Sequence, residues 1–448
     1  MGSKVIVIFI IMLVLAISVY GTNNDDSFSK QKILEVERKL QHLRKHSLKT
    51  IQSEDGDIID CIDIKKQPAF DHPALKNHKI QMAPSYNSAM EDTQEVTKTR
   101  SKTKSAMTKQ RDEGTYVKLA SQQVWRKSGS CPKGTIPVRR IRKRQLLKAH
   151  SIDEYGRKKP SFSNRKDSDK LNQNVDSFVQ QQNHSKAILL TYGYRYLGGK
   201  GEIIVCNPFV EKDDEYSTAQ VSLLNGSYDD YELVESGWAV NPSVYGDRNT
   251  RLFVYWTADG SHGTGCFDLT CPGFIQTSNE IALGAAIYPI SIPGGLPYQI
   301  IICIYKDVIT NNWWVQYGEE KTNIGYWPPE LFTGMSSMAE SVEWGGEVYS
   351  TTVGHTPHTK TQMGNGEFAS AFFDSKTQMK NGEFVQPFMD SASILRMRVH
   401  DNSAFWKIPE WVAKFSDEYN CYDVYYFEDY VEDPLFYYGG PGRNPMCL

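Results

Sequence analysis

The second half of this chain predicts an all-β fold, an antiparallel sandwich or barrel, with a smaller unit ahead of it. Three observations carry the prediction. From about Lys186, short runs rich in β-branched and aromatic residues recur: Ala187–Tyr192, Glu202–Cys206, Leu252–Trp256 and Gln299–Tyr305. Turn signals such as Asn225-Gly226 and Gly294-Gly295 punctuate them, and no helical periodicity of comparable strength lies between 186 and 330. An aromatic content of 12% suits strands whose faces are packed.

The N-terminal part reads differently. Lys4, the apolar run Val5–Val19, and small residues at Ser18 and Gly21 predict a secretory signal over residues 1–21, too short to be a comfortable membrane span. In Ser27–Thr50, Ile33, Val36, Leu40 and Leu43 recur at helical spacing, which predicts a helix. Residues 51–82 make a compact segment, and 83–118, rich in Ser, Thr and Lys, a flexible linker. Trp125–Pro137 reads as ordered. Arg139–Lys148 is strongly basic, and 150–175 is polar. We expect this stretch to be exposed and readily cut. The expected division is 1–21, 22–150, a linker and processing region 151–180, and 181–448.

Behind a signal peptide, eight cysteines imply disulfides. A Cys61–Cys131 bridge would tie the N-terminal unit together. Cys266-x4-Cys271 has a zinc-like spacing without a second ligand pair, so a disulfide is expected there. Cys421 and Cys447 are expected to staple the C-terminus. Cys206 and Cys303 either pair or stay as buried thiols. The sequons at Asn183 and Asn225 fit a secreted glycoprotein. His355-x2-His358 reads as an isolated, solvent-facing loop pair.

The net charge of −3 conceals a split. Residues 1–170 hold 34 Lys and Arg against 19 Asp and Glu, a net +15, whereas 171–448 hold 16 against 34, a net −18. In a secreted chain the partner expected for the basic tract is its own acidic half, not nucleic acid. One repeat is present: Thr359–Phe368 recurs as Ser375–Phe384, expected as a duplicated surface loop built on Asn-Gly turns.

Asp57–Ile64, Gln67–Pro73 and Lys76–Met82 closely resemble the activation-peptide domain of plant neprosin-type proteins. Gly237–Pro242, Tyr245–Asp247, Arg251–Phe253, Tyr255–Asp259, Cys271–Gln276, Trp313-Trp314, Ile324–Pro328, Trp344–Glu347 and Tyr438–Pro445 resemble, in order, the neprosin catalytic domain. The resemblance implies a proenzyme with a small α+β propeptide domain and an antiparallel β-sandwich catalytic domain. It further implies an acid-active endopeptidase cutting next to proline with a pair of glutamates, its own propeptide as inhibitor, a peptide or protein substrate, and no metal or cofactor. A secreted monomer, free of the membrane after signal cleavage, is expected. A non-catalytic extracellular binding protein on the same fold is the competing reading.

Two carboxyl groups sharing a proton can hydrolyse an amide: the ionised one activates water, and the protonated one polarises the carbonyl or protonates the amine. By itself Glu235, in Leu233-Val234-Glu235-Ser236, reads as a surface glutamate of an edge strand. The adjoining Gly237-Trp238 makes it the family's catalytic position. Glu343 and Glu347 compete for the second role, since residues four apart face the same side of a strand unless Gly345-Gly346 introduces a bulge. Glu347 is chosen because it completes Trp344-Gly345-Gly346-Glu347. The two glycines are expected to admit a substrate backbone. Trp238, Tyr245, Tyr326 and Trp344 are candidates to stack on a proline ring.

Overall fold

The computed structural model of the chain describes residues 30–41, 46–85, 119–149, 151–161, 183–226, 230–369, 379–380, 383–384, 392–403, 405–427 and 433–448. The expected signal sequence, residues 86–118 of the linker expected over 83–118, and most of the second repeat copy lie outside these residues. Among the described residues helix α1 covers 30–41, and the end of the expected helix is instead strand β1, Ser47–Gln52. Of the helical pattern, Val36 and Leu40 reach a core, against Leu146, Ile152 and Tyr155, while Ile33 is exposed. Pairing won over a local pattern at β1, where Ile51 packs with Cys61, Cys131 and Trp125. β1, β2 (Ile58–Asp63) and β3 (Thr135–Arg139) form an antiparallel three-stranded sheet, and the Cys61–Cys131 disulfide pins it. Helix α2, Lys143–Lys148, follows.

Most of the remainder is one curled, 16-stranded sheet, with two small two-stranded ladders, Gln122–Gln123 with Ile287–Tyr288 and Met379–Lys380 with Glu383–Phe384, beside it. Its principal strands are β4 (His184–Ile204), β5 (Tyr216–Asn225), β6 (Glu232–Val240), β7 (Arg251–Thr257), β8 (Cys266–Phe267), β9 (Ile275–Gln276), β10 (Tyr298–Lys306), β11 (Trp313–Tyr317), β12 (Thr322–Trp327), β13 (Ala339–Tyr349), β14 (Ser393–Asp401) and β15 (Val412–Ser416). The path runs β8-β7-β6-β5-β13-β4-β10-β11-β12-β9. The 21-residue β4 is the hub: its first half pairs with β13 and β15, its second half with β10 and β14. Curling at β4 folds the two wings over one core, in which Trp238, Trp344, Val221 and Val342 meet Ile302, Ile304 and Trp314.

Period-2 alternation decides what lies on the other face. In β6, Val234 and Trp238 enter the main core. Leu233 and Ala239 point the opposite way and pack with Val244, Tyr245, Phe253, Tyr255 and Phe267. That face belongs to neither core nor solvent, because the N-terminal unit covers it. Tyr155 Oη and Gln145 Nε2 both donate to Val244 O, and β6 is buried along its whole length.

All eight cysteines are accounted for. Cys61–Cys131, Cys266–Cys271 and Cys421–Cys447 are disulfides, and Cys206 and Cys303 are buried thiols outside any disulfide. The first repeat copy is not a surface loop. Thr359, Thr361 and Met363 are buried, because Glu215 Oε2 accepts from both threonine hydroxyls. His358 is likewise buried, with Nε2 3.1 Å from Glu418 Oε2, so only His355 of that pair faces solvent.

Candidate active site

Glu235 on β6 and Glu347 on β13 stand on either side of the central strand β5. Register fixes their places. Glu235 lies opposite Ser222, and Glu347 opposite Thr218. Even-numbered residues of β5 face the glutamates: Ser222 Oγ donates to Glu235 Oε2 at 3.0 Å and Tyr216 Oη to Glu347 Oε1 at 2.6 Å. Ser341–Tyr349 of β13 keeps regular register with β5, so Gly345-Gly346 introduces no bulge and Glu343 shares the face of Glu347. The two differ in company. Glu343 Oε2 lies 3.2 Å from Lys186 Nζ, whereas Glu347 turns toward Glu235.

What joins the pair is Lys158, from the stretch expected to be exposed. Its Nζ lies 2.5 Å from Glu235 Oε1 and 2.8 Å from Glu347 Oε2, and its side chain is 5% exposed. The rings of Tyr216, Tyr255 and Phe267 surround the ammonium at 5.7, 5.0 and 5.8 Å from their centroids, within cation–π range. Gly156 O accepts from Phe267 N at 2.7 Å, extending β8 by one backbone bond. Ile152, Tyr155, Gly156 and Ser161 are buried as well. The polar composition of 150–175 concealed this burial, because a buried lysine is recognised only by its partners.

Burial raises the Glu235 carboxyl above its usual range despite Lys158, and the charge of Glu347 adds to the rise. Burial acts the same way on Glu347, but Lys158, the His184 hydrogen bond and Lys186 outweigh it and hold that carboxyl well below its usual range. Two similar side chains are thereby driven apart, one toward the acid form and one toward the carboxylate. His184 Nδ1 lies 2.8 Å from Glu347 Oε1 and Nε2 lies 2.9 Å from Lys159 O. For Lys158, burial is more than offset by Glu235 and Glu347, and its ammonium is held above the ordinary lysine range.

The N-terminal unit docks through neutral and charged contacts. Gln67 pairs with both backbone groups of Gln276 (3.1 and 2.8 Å), and Gln123 with Ala282 O and N (2.6 and 2.8 Å). Asp57 lies 2.6 Å from the buried Arg251 and 3.2 Å from Arg139. Arg126–Glu280 and Lys148–Asp213, each at 3.2 Å, follow the polarity of the charge split. The Asp57–Arg251 pair runs against it.

The structure brings Glu235, Glu347 and Gly345 onto one face. It puts Trp238, Trp344 and Gly346 on the other. Trp238 Nε1 donates to Ile204 O and Trp344 Nε1 to Lys200 O, and a Cβ on Gly346 would meet Met363. These three cannot touch a ligand at the glutamates, since successive strand residues alternate sides. Tyr245 lies under the N-terminal unit, its Oη donating to Asp268 and its ring flanked by Arg139 and Arg251. Tyr326, on β12, accepts from Gln81 N at 2.9 Å. Asn183 is partly buried, and Asn225 Nδ2 donates to Met338 O at 3.1 Å. Lys158, His184, Tyr216, Ser222, Tyr255 and Phe267 escaped the sequence reading. The polar alternation Tyr216, Thr218, Gln220, Ser222 in β5 was a readable sign of a polar face on a buried strand.

Comparisons agree in sequence and order. The neprosin activation-peptide family matches residues 50–189, which include Lys158, and the neprosin family matches 213–441, a little over half of the chain. Among solved structures, the chain is similar to scytalido-glutamic peptidase with a transition state analog inhibitor. There the identity is 10%, the match covers 57% of this chain and 98% of that one, and the TM-score is 0.30. A second structure of that peptidase, with a peptide-based transition state analog, matches at 11% identity over 52% and 87% of the two chains, with a TM-score of 0.27. SCP-B, a member of the eqolisin family of peptidases in complex with the tripeptide Ala-Ile-His, matches at 10% identity over 57% and 97%, again with a TM-score of 0.27. With its activation peptide in front and its catalytic-domain pattern behind, this chain belongs to the neprosin family.

Proposed function

We propose that the chain is a secreted glutamic endopeptidase made as a latent proenzyme, which hydrolyses peptide bonds next to proline at acid pH. One observation carries the reading: Glu235 and Glu347, from different strands, converge on a single cation contributed by the N-terminal part. Lys158 stands where the reacting centre would lie, so the same contact that marks the site also blocks it.

Once Lys158 leaves, a water molecule can bridge the carboxyl groups. Glu347, ionised, takes a proton from the water as its oxygen bonds to the scissile carbonyl carbon. The carbonyl π pair moves onto oxygen, which the protonated Glu235 stabilises by hydrogen bonding. Collapse re-forms the carbonyl and breaks the C–N bond. The departing nitrogen takes up the proton that Glu347 removed from water, leaving an acid and an amine with both glutamates in their starting forms. The catalytic form carries one proton on the pair. Activity therefore falls as pH rises far enough to take the proton from Glu235, whose carboxyl burial pushes upward in the closed form. The rings of Tyr216, Tyr255 and Phe267 around the Lys158 ammonium support a preference for a compact apolar ring such as that of proline.

The test is hydrolysis of a quenched fluorescent peptide containing one proline, by acid-processed protein between about pH 3 and 6. Glu235→Gln and Glu347→Gln should each abolish cleavage without lowering the melting temperature, and Glu343→Gln should leave it in place. Processed wild-type protein that cleaves nothing in this range would favour the non-catalytic binding protein.

A further inference from the structure

The lattice of the sheet singles out a residue midway between the two glutamates. Gln220 on β5 lies opposite Gly237 on β6 and opposite Gly345 on β13. Glu235 is two residues from Gly237 and Glu347 two residues from Gly345, displaced in opposite directions along the sheet. The glutamates therefore occupy opposite diagonal corners of a block whose centre is Gln220. Lys158 Nζ, within 2.8 Å of both carboxylates, stands over that centre. The flanking positions must stay without side chains. A Cβ on Gly237 would fall 1.9 Å from Ala219 O, and one on Gly345 would fall 2.2 Å from Ala187 O.

Gln220 shares the face of Ser222 and Tyr216, both of which touch a glutamate. It is 3% exposed, and its Oε1 is buried without a hydrogen-bond partner. Cores avoid such an acceptor, because burying a polar oxygen forfeits water and here gains nothing in return.

We propose that Gln220 is a third catalytic side chain, whose carboxamide oxygen accepts a hydrogen bond from the attacking water. The proposal rests on the peptidase reading above. The water donates one proton to Glu347 and points the other at Gln220 Oε1, which leaves a lone pair aimed at the scissile carbon. No proton passes to the amide, so the balance of the reaction is unchanged. Ser222, one pair of residues along, fixes Glu235, and Gln220 fixes the nucleophile.

The experiment uses acid-processed full-length protein. Gln220→Met keeps the length and packing of the side chain but removes the acceptor. Its kcat should fall by about 10²–10³-fold, as for loss of one preorganised hydrogen bond at a reacting atom, with KM changed less than about threefold. Gln220→Glu restores an acceptor and adds a carboxyl. It should recover part of kcat and move the pH–rate profile upward, because a like charge raises both neighbours. Wild-type kcat in Gln220→Met overturns the proposal. If Gln220→Met does not fold, Gln220→Glu decides, and an unchanged pH profile there overturns it. Wild-type protein that cleaves nothing, or full activity in Glu235→Gln, removes the peptidase reading and the proposal together. Normal loss in Glu235→Gln with no loss in Gln220→Met removes the proposal alone.

Discussion

Lys158→Met tests the proposed block at the candidate active site with the least disturbance. Methionine keeps an unbranched stem among Tyr216, Tyr255 and Phe267 and deletes only the ammonium that meets Glu235 and Glu347 at 2.5 and 2.8 Å. Removing one partner of a fully buried ion pair costs about 3–5 kcal/mol, because the remaining charge is left uncompensated. At about 1.4 kcal/mol per tenfold change, the open form of the proenzyme should gain population by about 10²- to 4 × 10³-fold. The sign with pH follows from Glu347, the member of the pair that Lys158 and His184 hold well below the usual carboxylate range despite burial. Its contribution to closure is present above that usual range and is lost as pH falls through the depressed value; Glu235, raised by burial, does not add to it. Lys158→Met lacks that term at every pH, so it should process itself near neutrality, where the wild type stays latent. A time course of chain shortening and peptide hydrolysis from about pH 3 to 7 reads this directly, with Lys158→Arg as the control that retains latency. If Lys158→Met stays latent to the same pH as wild type, the lysine is not the block.

Three further outcomes are expected. Burial opposes ionisation of Asp57, yet Arg251 and Arg139 hold its carboxyl below the usual range. Its contribution to docking is therefore present above about pH 4, the unfolded value, and disappears as pH falls through the depressed one. Asp57→Asn should lower the melting temperature of the proenzyme at pH 6, by an amount matching about 3–5 kcal/mol for a broken buried pair, and by less at pH 3, where part of that contribution is already lost. Equal losses at both values would show that Asp57 acts by packing alone. Unfolding without reductant should expose two alkylatable thiols per chain, Cys206 and Cys303. In the folded protein Cys206 should resist, because burial pushes its thiol up to about 12; rapid labelling of native protein would contradict the buried assignment. His184→Asn removes the Nδ1 contact at 2.8 Å that helps keep Glu347 ionised. The acid limb of the pH–rate profile should shift upward with KM little changed, and an unshifted limb would leave His184 a packing residue.

The strands were legible because their periodicity is local. Leu252–Trp256 and Gln299–Tyr305 carry β-branched and aromatic residues wherever the fold puts them, and both became strands of the sheet. Glu235 and the Trp344–Glu347 run were legible as motifs, and strand alternation then put the tryptophans on the wrong face to touch a ligand. Lys158 was not legible. It sits between Arg157 and Lys159 in a polar stretch, and what distinguishes it lies 189 residues away on Glu347. The short helix α1 was overread for a related reason: Ser47–Gln52 takes its structure from pairing with Ile58–Asp63, a contact that no local pattern in 27–50 reports. The +15 and −18 halves pointed correctly to docking of one part on the other, but total charge does not say which groups meet. The buried pair Asp57–Arg251 has the reverse polarity.

That reversed pair matters to how acid would act. At the candidate site the carboxylates belong to the C-terminal part and the cation to the N-terminal part; at Asp57 the ownership is exchanged. Both contacts nevertheless need an ionised carboxylate, so falling pH weakens both in the same direction. The Gln67–Gln276 and Gln123–Ala282 pairs contain only amides and do not titrate. Charge along the interface thus divides it into an acid-labile set and an acid-indifferent set, and Lys158 belongs to the first. A long-range attraction between net charges would weaken evenly and with salt as well as acid. Buried pairs are shielded from salt, so opening should follow pH closely and ionic strength only slightly.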